Sequence, residues 1–330
     1  MPSGRKEAVE RVRSLIPGLD AILCGGFLRG GLYMIQGTPG MGKTILASQI
    51  IYSQAAEEHR ALFVTVLGES HGRMMTHMRS LAFFDVARIP DQVAYISAYR
   101  ALDDEGLKGL TALLLREIVA RKTTLLVLHG MSAVAAKSGA EFEVKRFVHE
   151  MQALASMTNC TMLLLSTSAG DLSAPELTMV DGLIEMWLHR HGFRTERRLM
   201  VHKLRGSAFL EGQHAFRITG EGIRVFPRIE ALLAMPTVGG DPVHTRISSG
   251  VASLNAMLGG GIPAATLTAL VGPSGSGKTT VGLHFLSCSN ASKPGLLFGC
   301  YEPPDRLRRK ASTMGFDLAG AEQRGEVEIL

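Results

Sequence analysis

Apolar residues in this chain gather into short unbroken runs, separated by stretches with helical spacing. "GLYMIQ", "ALFVTV", "TTLLVLHG" and "TMLLLSTSAG" read as strands whose two faces are both covered, the pattern of a parallel sheet. "ILASQIIY" and "TVGLHFL" read as helices that follow directly on glycine-rich turns. No apolar run approaches the roughly 18 residues that a membrane span requires.

A repeat runs through this pattern. "LDAIL" (Leu19 to Leu23) matches "LNAML" (Leu254 to Leu258), 235 residues later. The same shift carries Gly25 and Gly26 onto Gly260 and Gly261, Lys43 onto Lys278, and Leu62 and Phe63 onto Leu297 and Phe298. One gap-free register across these points indicates a duplication. The Pro- and Gly-rich stretch "MPTVGGDPVH" marks the boundary between copies. Residues 1–238 are expected to form a first domain and 239–330 the N-terminal part of a second, truncated one. The counterpart of "TTLLVLHG" in the second copy would fall past Leu330. A half-sheet of this kind is expected to show open edges and to be the less stable half.

Composition adds little beyond this. The chain has 330 residues, 46% hydrophobic and 20% charged, enough for one or two cores. The N-terminus lacks the apolar region of a secretory signal. The four cysteines (Cys24, Cys160, Cys288, Cys300) form no CxxC pair and read as buried apolar residues of a cytoplasmic protein. A net charge of +5 permits anionic ligands. The basic residues Arg190, Arg194, Arg197, Arg198, Lys203 and Arg205 cluster on one segment, most of them expected on the solvated face of a ribbon.

The chemistry sits in two loops of the form G-x4-G-K-[ST]: Gly37, Thr38, Pro39, Gly40, Met41, Gly42, Lys43, Thr44, and Gly272, Pro273, Ser274, Gly275, Ser276, Gly277, Lys278, Thr279. Each lies between a strand and a helix pattern, the context in which backbone amides and a helix N-terminus cradle phosphates. Lys43 and Lys278 are placed to reach the β- and γ-phosphates of ATP, and the Thr44 and Thr279 hydroxyls to ligate Mg2+. A glutamate at the end of the next strand would orient the attacking water. Glu302 occupies that place in the second copy; in the first, Leu67 stands in its register and Glu69 is the candidate. The tip of "TTLLVLHG" is His129, where an acid that holds the metal's water is expected.

These segments resemble the KaiC family of RecA-superfamily ATPases, named after the circadian clock protein. The resemblance rests on "IPGLDAILCGGF", "GLYMIQGTPGMGKT", "VDGLIEM", "HKLRGSAFLEGQHAFRITGEGIRVFP", "LGGGIP" and "LLFGCYEPPDRL". It implies an α/β fold of tandem RecA-like P-loop domains with a mainly parallel sheet flanked by helices. It also implies ATP and Mg2+, slow hydrolysis, and self-association into a ring, often a hexamer. In such rings the K-x-R segment reaches the neighbouring subunit's nucleotide, which nominates Lys203 and Arg205. The chain departs from the family at His129 and at Ser166, Thr167 and Ser168, where relatives carry a larger Gln or Glu. Four functions stay open: an ATPase coupling nucleotide state to assembly or to a protein signalling partner, a serine/threonine autokinase, a recombinase-like DNA-binding ATPase, and a non-hydrolysing scaffold. The segments "GMSAVAAKSGAEFE" and "SAGDLSAPELT", read as loops, hold one lysine and one phenylalanine, too few for a single-strand groove. Nucleic acid is therefore not an expected partner.

Overall fold

A computed structural model describes residues 10–55, 59–67, 71–139, 141–167, 175–233 and 245–330. The chain divides into two compact units, Met1–Met235 and Pro236–Leu330.

The first unit opens with a small hairpin, β1 (Arg11–Val12) and β2 (Phe27–Leu28), around α1 (Leu19–Ile22). There follow β3 (Leu32–Gly37), α2 (Lys43–Gln54), β4 (Arg60–Thr65), α3 (His71–Met78), β5 (Val93–Ser97), α4 (Tyr99–Arg121) and β6 (Thr123–His129). Next come α5 (Met131–Ser138), α6 (Glu141–Thr158), β7 (Thr161–Ser166), α7 (Pro175–Met179) and β8 (Gly182–His191). The unit closes with β9 (Arg194–Leu204), β10 (His214–Thr219), β11 (Gly222–Phe226) and α8 (Ile229–Leu232). One nine-stranded sheet has the order β11-β10-β9-β8-β3-β7-β6-β4-β5. The pairings from β8 to β5 are parallel, and β8 to β11 form an antiparallel extension.

The unbroken apolar runs have their cause in this architecture. Tyr33, Ile35, Val127 and Leu163 pack in one core with α2, while Leu32, Met34, Leu126 and Leu164 pack in another with α4 and α6. Strands covered on both faces need apolar residues at every position. The "GMSAVAAKSG" segment, expected as a loop, is helix α5, because Met131 and Val134, three apart, both bury into the α4–α6 core.

Strand β11 closes the sheet without exposing its ladder. The amide of Ile223 donates to Gln49 Oε1 at 2.6 Å, Gln49 Nε2 donates back to the Ile223 carbonyl at 3.2 Å, and the amide of Val225 reaches Pro17 at 2.9 Å. A buried side-chain amide thus stands in for a tenth strand. Gln49→Leu keeps the volume but leaves two buried backbone groups unpaired, so it should cost about 2–4 kcal/mol, read as a lowered urea midpoint. An unchanged midpoint would show that the edge is satisfied by other means.

The second unit comprises β12 (Arg246–Ile247), α9 (Ala252–Met257), β13 (Ile262–Pro263), α10 (Lys278–Leu286), β14 (Gly295–Leu297), α11 (Pro304–Thr313), α12 (Leu318–Gln323) and β15 (Val327–Ile329). Several of its strand pairings repeat those of the first unit at the same shift. Arg11 pairs with Leu28 as Arg246 does with Pro263, and Ala61 pairs with Val93 as Leu296 does with Glu328, each shifted by 235. Even the hairpin lock recurs, with Arg11 donating to the Gly26 carbonyl at 3.0 Å and Arg246 to that of Gly261 at 2.8 Å.

One expected strand does not form. "TLTALV" (Thr266 to Val271) joins no ladder and forms no regular element, and Leu267 and Val271 are 100% and 90% exposed. Its counterpart β3 is held between β7 and β8. Under the same shift the equivalents of those two strands fall beyond residue 330. The cysteines also differ from expectation: only Cys160 is buried, its thiol pushed up to about 12 by desolvation, and the other three are exposed.

Candidate functional site

Strand β3 delivers Gly37 to the carboxyl edge of the sheet, and the chain then turns through Thr38, Pro39, Gly40, Met41 and Gly42 into α2. Two glycines are obligatory here. A Cβ at Gly37 would collide with the Met186 carbonyl of β8, and at Gly42, where φ is 99°, one would lie 2.6 Å from Ile218 Cδ1. Lys43 opens the helix, only 6% exposed, and its ammonium donates to the carbonyls of Gly37 at 2.6 Å and Thr38 at 2.9 Å. Desolvation lowers its pKa. A cation held dry against its own loop, with no carboxylate beside it among the described residues, is a site made for a polyanion.

Around this loop lies a cavity of about 690 Å3. Its walls combine Lys43 and Thr44 with Leu67, with Met74, His77 and Met78 of α3, with His129 and Thr167 at the tips of β6 and β7, and with Arg197 and Ile218 from the antiparallel extension. His129 pairs in register with Thr65 and Leu165, and its ring meets Phe63 edge-on with centroids 6.1 Å apart. The strand tip therefore does face the P-loop threonine across one cavity. Leu67 occupies the wall where the second copy has Glu302. Glu69 and Ser168 lie outside the described residues.

Arg197, read from sequence as one member of a solvated cluster, reaches this cavity. Gly37 pairs with Met186, and the β8–β9 hairpin continues past that level to pair Leu188 with Arg197. Its Nε is buried without a hydrogen-bond partner among the described residues. Nothing in the local sequence marks this residue, because the loop it serves lies far away along the chain.

Lys203 and Arg205 come together, as their spacing predicts, but away from this loop. Lys203 pairs with Leu183, which pairs with Met34, three residues and about 10 Å before Gly37 along β3. Lys203 Nζ donates to the carbonyls of Leu177 at 3.1 Å and Thr178 at 2.8 Å, and Arg205 donates to Thr178 at 2.7 Å. Both cations thus close the C-terminus of α7. Burial, and then the neighbouring Arg205 charge, lower the Lys203 pKa. A β-bulge in β9 at this point leaves His202 Nε2 2.8 Å from Glu185 Oε2.

The second loop copies the first. Lys278 donates to the carbonyls of Gly272 and Pro273, both at 2.7 Å; the Ser276 amide donates to Pro273 at 3.3 Å, and Gly277 takes φ 87° at the start of α10. Thr279 Oγ1 donates to Glu302 Oε1 at 3.4 Å, and Lys310 lies 3.9 Å from the same oxygen. Hydroxyl and carboxylate, two potential partners for a hydrated cation, are therefore adjacent in the second unit. Ser274 and Gly275 form the outer turn of this loop. Among the described residues no group of three or more His, Cys, Asp or Glu forms a metal cluster, and no helix is long and apolar enough to cross a membrane.

Comparison with known proteins matches residues 12–230 and 247–330 to the family described as the KaiC ATPase. The chain is similar to the circadian clock oscillator protein KaiC of Picosynechococcus sp., 29% identical over 99% of this chain and 65% of that protein. It is 26% identical to the circadian clock oscillator protein KaiC 1 of Synechocystis sp. over 100% of this chain and 65% of the relative. To KaiC of Synechococcus elongatus it is 25% identical over 98% and 64% respectively. The chain thus spans about two thirds of the length of these relatives. The family match runs through both units and both phosphate loops, on a mixed α/β fold of RecA-like P-loop type, and the chain belongs to the KaiC ATPase family.

Proposed function

We propose that the first unit binds ATP in the cavity beside Lys43 and hydrolyses it slowly with Mg2+, and that nucleotide state is coupled to ring assembly or to a protein signalling partner. The observation carrying this is the loop itself: a dehydrated ammonium at the mouth of a helix, facing a cavity whose described walls carry cations and no carboxylate. On this reading Lys43 exchanges its loop carbonyls for β- and γ-phosphate oxygens. The apolar wall of Ile45, Met74, Met78 and Ile218 receives the base. Arg197 supplies further positive charge from the hairpin. Steady-state ATP hydrolysis that collapses in Lys43→Ala tests the reading.

Thr44 and, through water, His129 would hold Mg2+ in the first cavity, where the ion would neutralise developing phosphate charge. The donor set is weak, because an imidazole brings no negative charge. This supports slow turnover and a shallow dependence on the metal. His129→Asp should tighten Mg2+ about tenfold and raise the rate, since a charge-assisted bond is roughly twice as strong as a neutral one. If neither changes, His129 does not serve the metal. In the second unit Thr279 and Glu302 are the corresponding pair. Glu69 is proposed as the group that orients water in the first site.

Lys203 and Arg205 cannot serve their own nucleotide from the far end of the sheet. We assign them to the nucleotide of a neighbouring copy in a ring, where two cations already gathered at one helix end face the terminal phosphate.

A further inference from the structure

The alternation of β9 breaks at His202. Leu199 and Val201 face the core that holds α2, and strict alternation would send Lys203 to the same face. The register shifts instead: Ile184 pairs with Val201, but Leu183, its neighbour in β8, pairs with Lys203. His202 is therefore the extra residue of the β-bulge, and past it every side chain has changed sides. Leu204 lies in the α2 core, while Lys203 stands on the face of Leu183, whose core includes Leu177 of α7. The amide of Arg205 still donates to the Asp181 carbonyl at 2.7 Å, so the inversion carries through to the end of the strand. It is this inversion that brings Lys203 and Arg205 to the carbonyls closing α7.

The extra residue of a bulge is left unpaired in the ladder. Here its side chain is tied down instead. Glu185 shares a strand face with Leu183, two residues away. His202 turns to that same face, and its Nε2 meets Glu185 Oε2 at 2.8 Å, each side chain only 16% exposed. Carboxylate oxygens accept, so Nε2 carries the proton of this bond. Shielded from water, the bond counts for more than one at the surface.

We propose that Glu185 and His202 are positioning residues: their bond fixes the bulge that aims Lys203 and Arg205, and through those cations it governs turnover at the neighbouring copy's nucleotide. This rests on the assignment of Lys203 and Arg205 to that nucleotide. A bulge released from the bond can migrate along β9 and turn Lys203 back toward the α2 core. A displacement of about 1 Å at a reacting centre already costs on the order of 10²-fold in rate.

The test is steady-state ATP hydrolysis by the full chain over a range of ATP concentrations. His202→Leu, which keeps the bulk and removes the bond, should lower kcat about 10–100-fold. KM for ATP should stay within about twofold, because the chain's own phosphate loop is untouched. Glu185→Ala should act alike, and Glu185→Gln, which keeps an acceptor oxygen at the same reach, should recover most of the loss. His202→Leu chains mixed with Lys43→Ala chains, which carry the intact pair and both cations, should regain turnover. Mixed with Arg205→Ala chains, they should not. Unchanged kcat in both His202→Leu and Glu185→Ala would overturn the proposal. So would a loss that Lys43→Ala chains never relieve, since a folding defect stays with the chain that carries it. If Arg205→Ala chains turn over normally, the trans reading falls and this proposal with it. If Arg205→Ala is impaired and His202→Leu is not, only the proposal falls.

Discussion

Arg205→Ala should lower ATP turnover about 10³-fold while leaving nucleotide binding to the same chain nearly intact, the scale of an arginine supplied in trans. The separation follows from geometry. Arg205 bonds to carbonyls at the end of α7, at the sheet end opposite the Gly37 loop, so its loss removes nothing from the cavity of its own chain. A mixing experiment sharpens the expectation. Arg205→Ala chains have intact P-loops, Lys43→Ala chains have intact Arg205, and each alone should be strongly impaired. Mixed rings place one beside the other and should recover activity. A loss that mixing never restores, or a chain that stays a monomer in saturating ATP by sizing, would remove the trans role of Lys203 and Arg205.

Lys43→Ala should have a comparable effect by another route. The side chain is almost fully buried, and among the described residues its charge is met by two carbonyl dipoles. A cation in that position is destabilising to the free protein and is repaid when phosphate arrives. Alanine relieves the first cost and forfeits the second. Binding should weaken, and turnover should fall about 10²–10³-fold, the range for loss of one preorganised charge or donor at the reacting group. Because the ammonium no longer needs solvating, the variant should also be no less stable than its parent to urea. A variant that unfolds would show that Lys43 holds the loop together rather than the ligand.

What the sequence made legible was whatever is encoded locally. Both phosphate loops are eight contiguous residues with glycines at fixed points, and their placement between strand and helix follows from apolar runs on either side. The duplication was readable because it is gap-free, and the two units reproduce it down to the Arg11 and Arg246 hairpin locks. Lys203 lies in β9 and Arg205 in the turn that follows it, yet two residues apart they still reach the same Thr178 carbonyl.

What stayed hidden depends on strand order. Arg197 enters the first cavity only because β8 lies beside β3 and the β8–β9 hairpin overshoots it. Ile218, Met74 and Met78 complete that wall from three separate elements, and each alone looks like ordinary core. Gln49 reads as one more polar helix residue until β11 is known to need an edge partner. "TLTALV" shows the converse: its strand pattern is sound, yet a parallel strand forms only with neighbours on its flanks, and no described residues provide them. His129 was legible as a substitution at a strand tip, and the fold places that tip on the wall shared with Lys43 and Thr44.

The most direct measurement of the central claim is steady-state ATP hydrolysis by the chain carrying Lys278→Ala, compared with the same chain carrying Lys43→Ala as well, each with Mg2+ and with chelator. Slow turnover in the first, reduced by chelator and lower by about 10²–10³-fold in the second, is the predicted result. Turnover that is indifferent to Lys43→Ala would place the chemistry outside the first cavity and contradict the account.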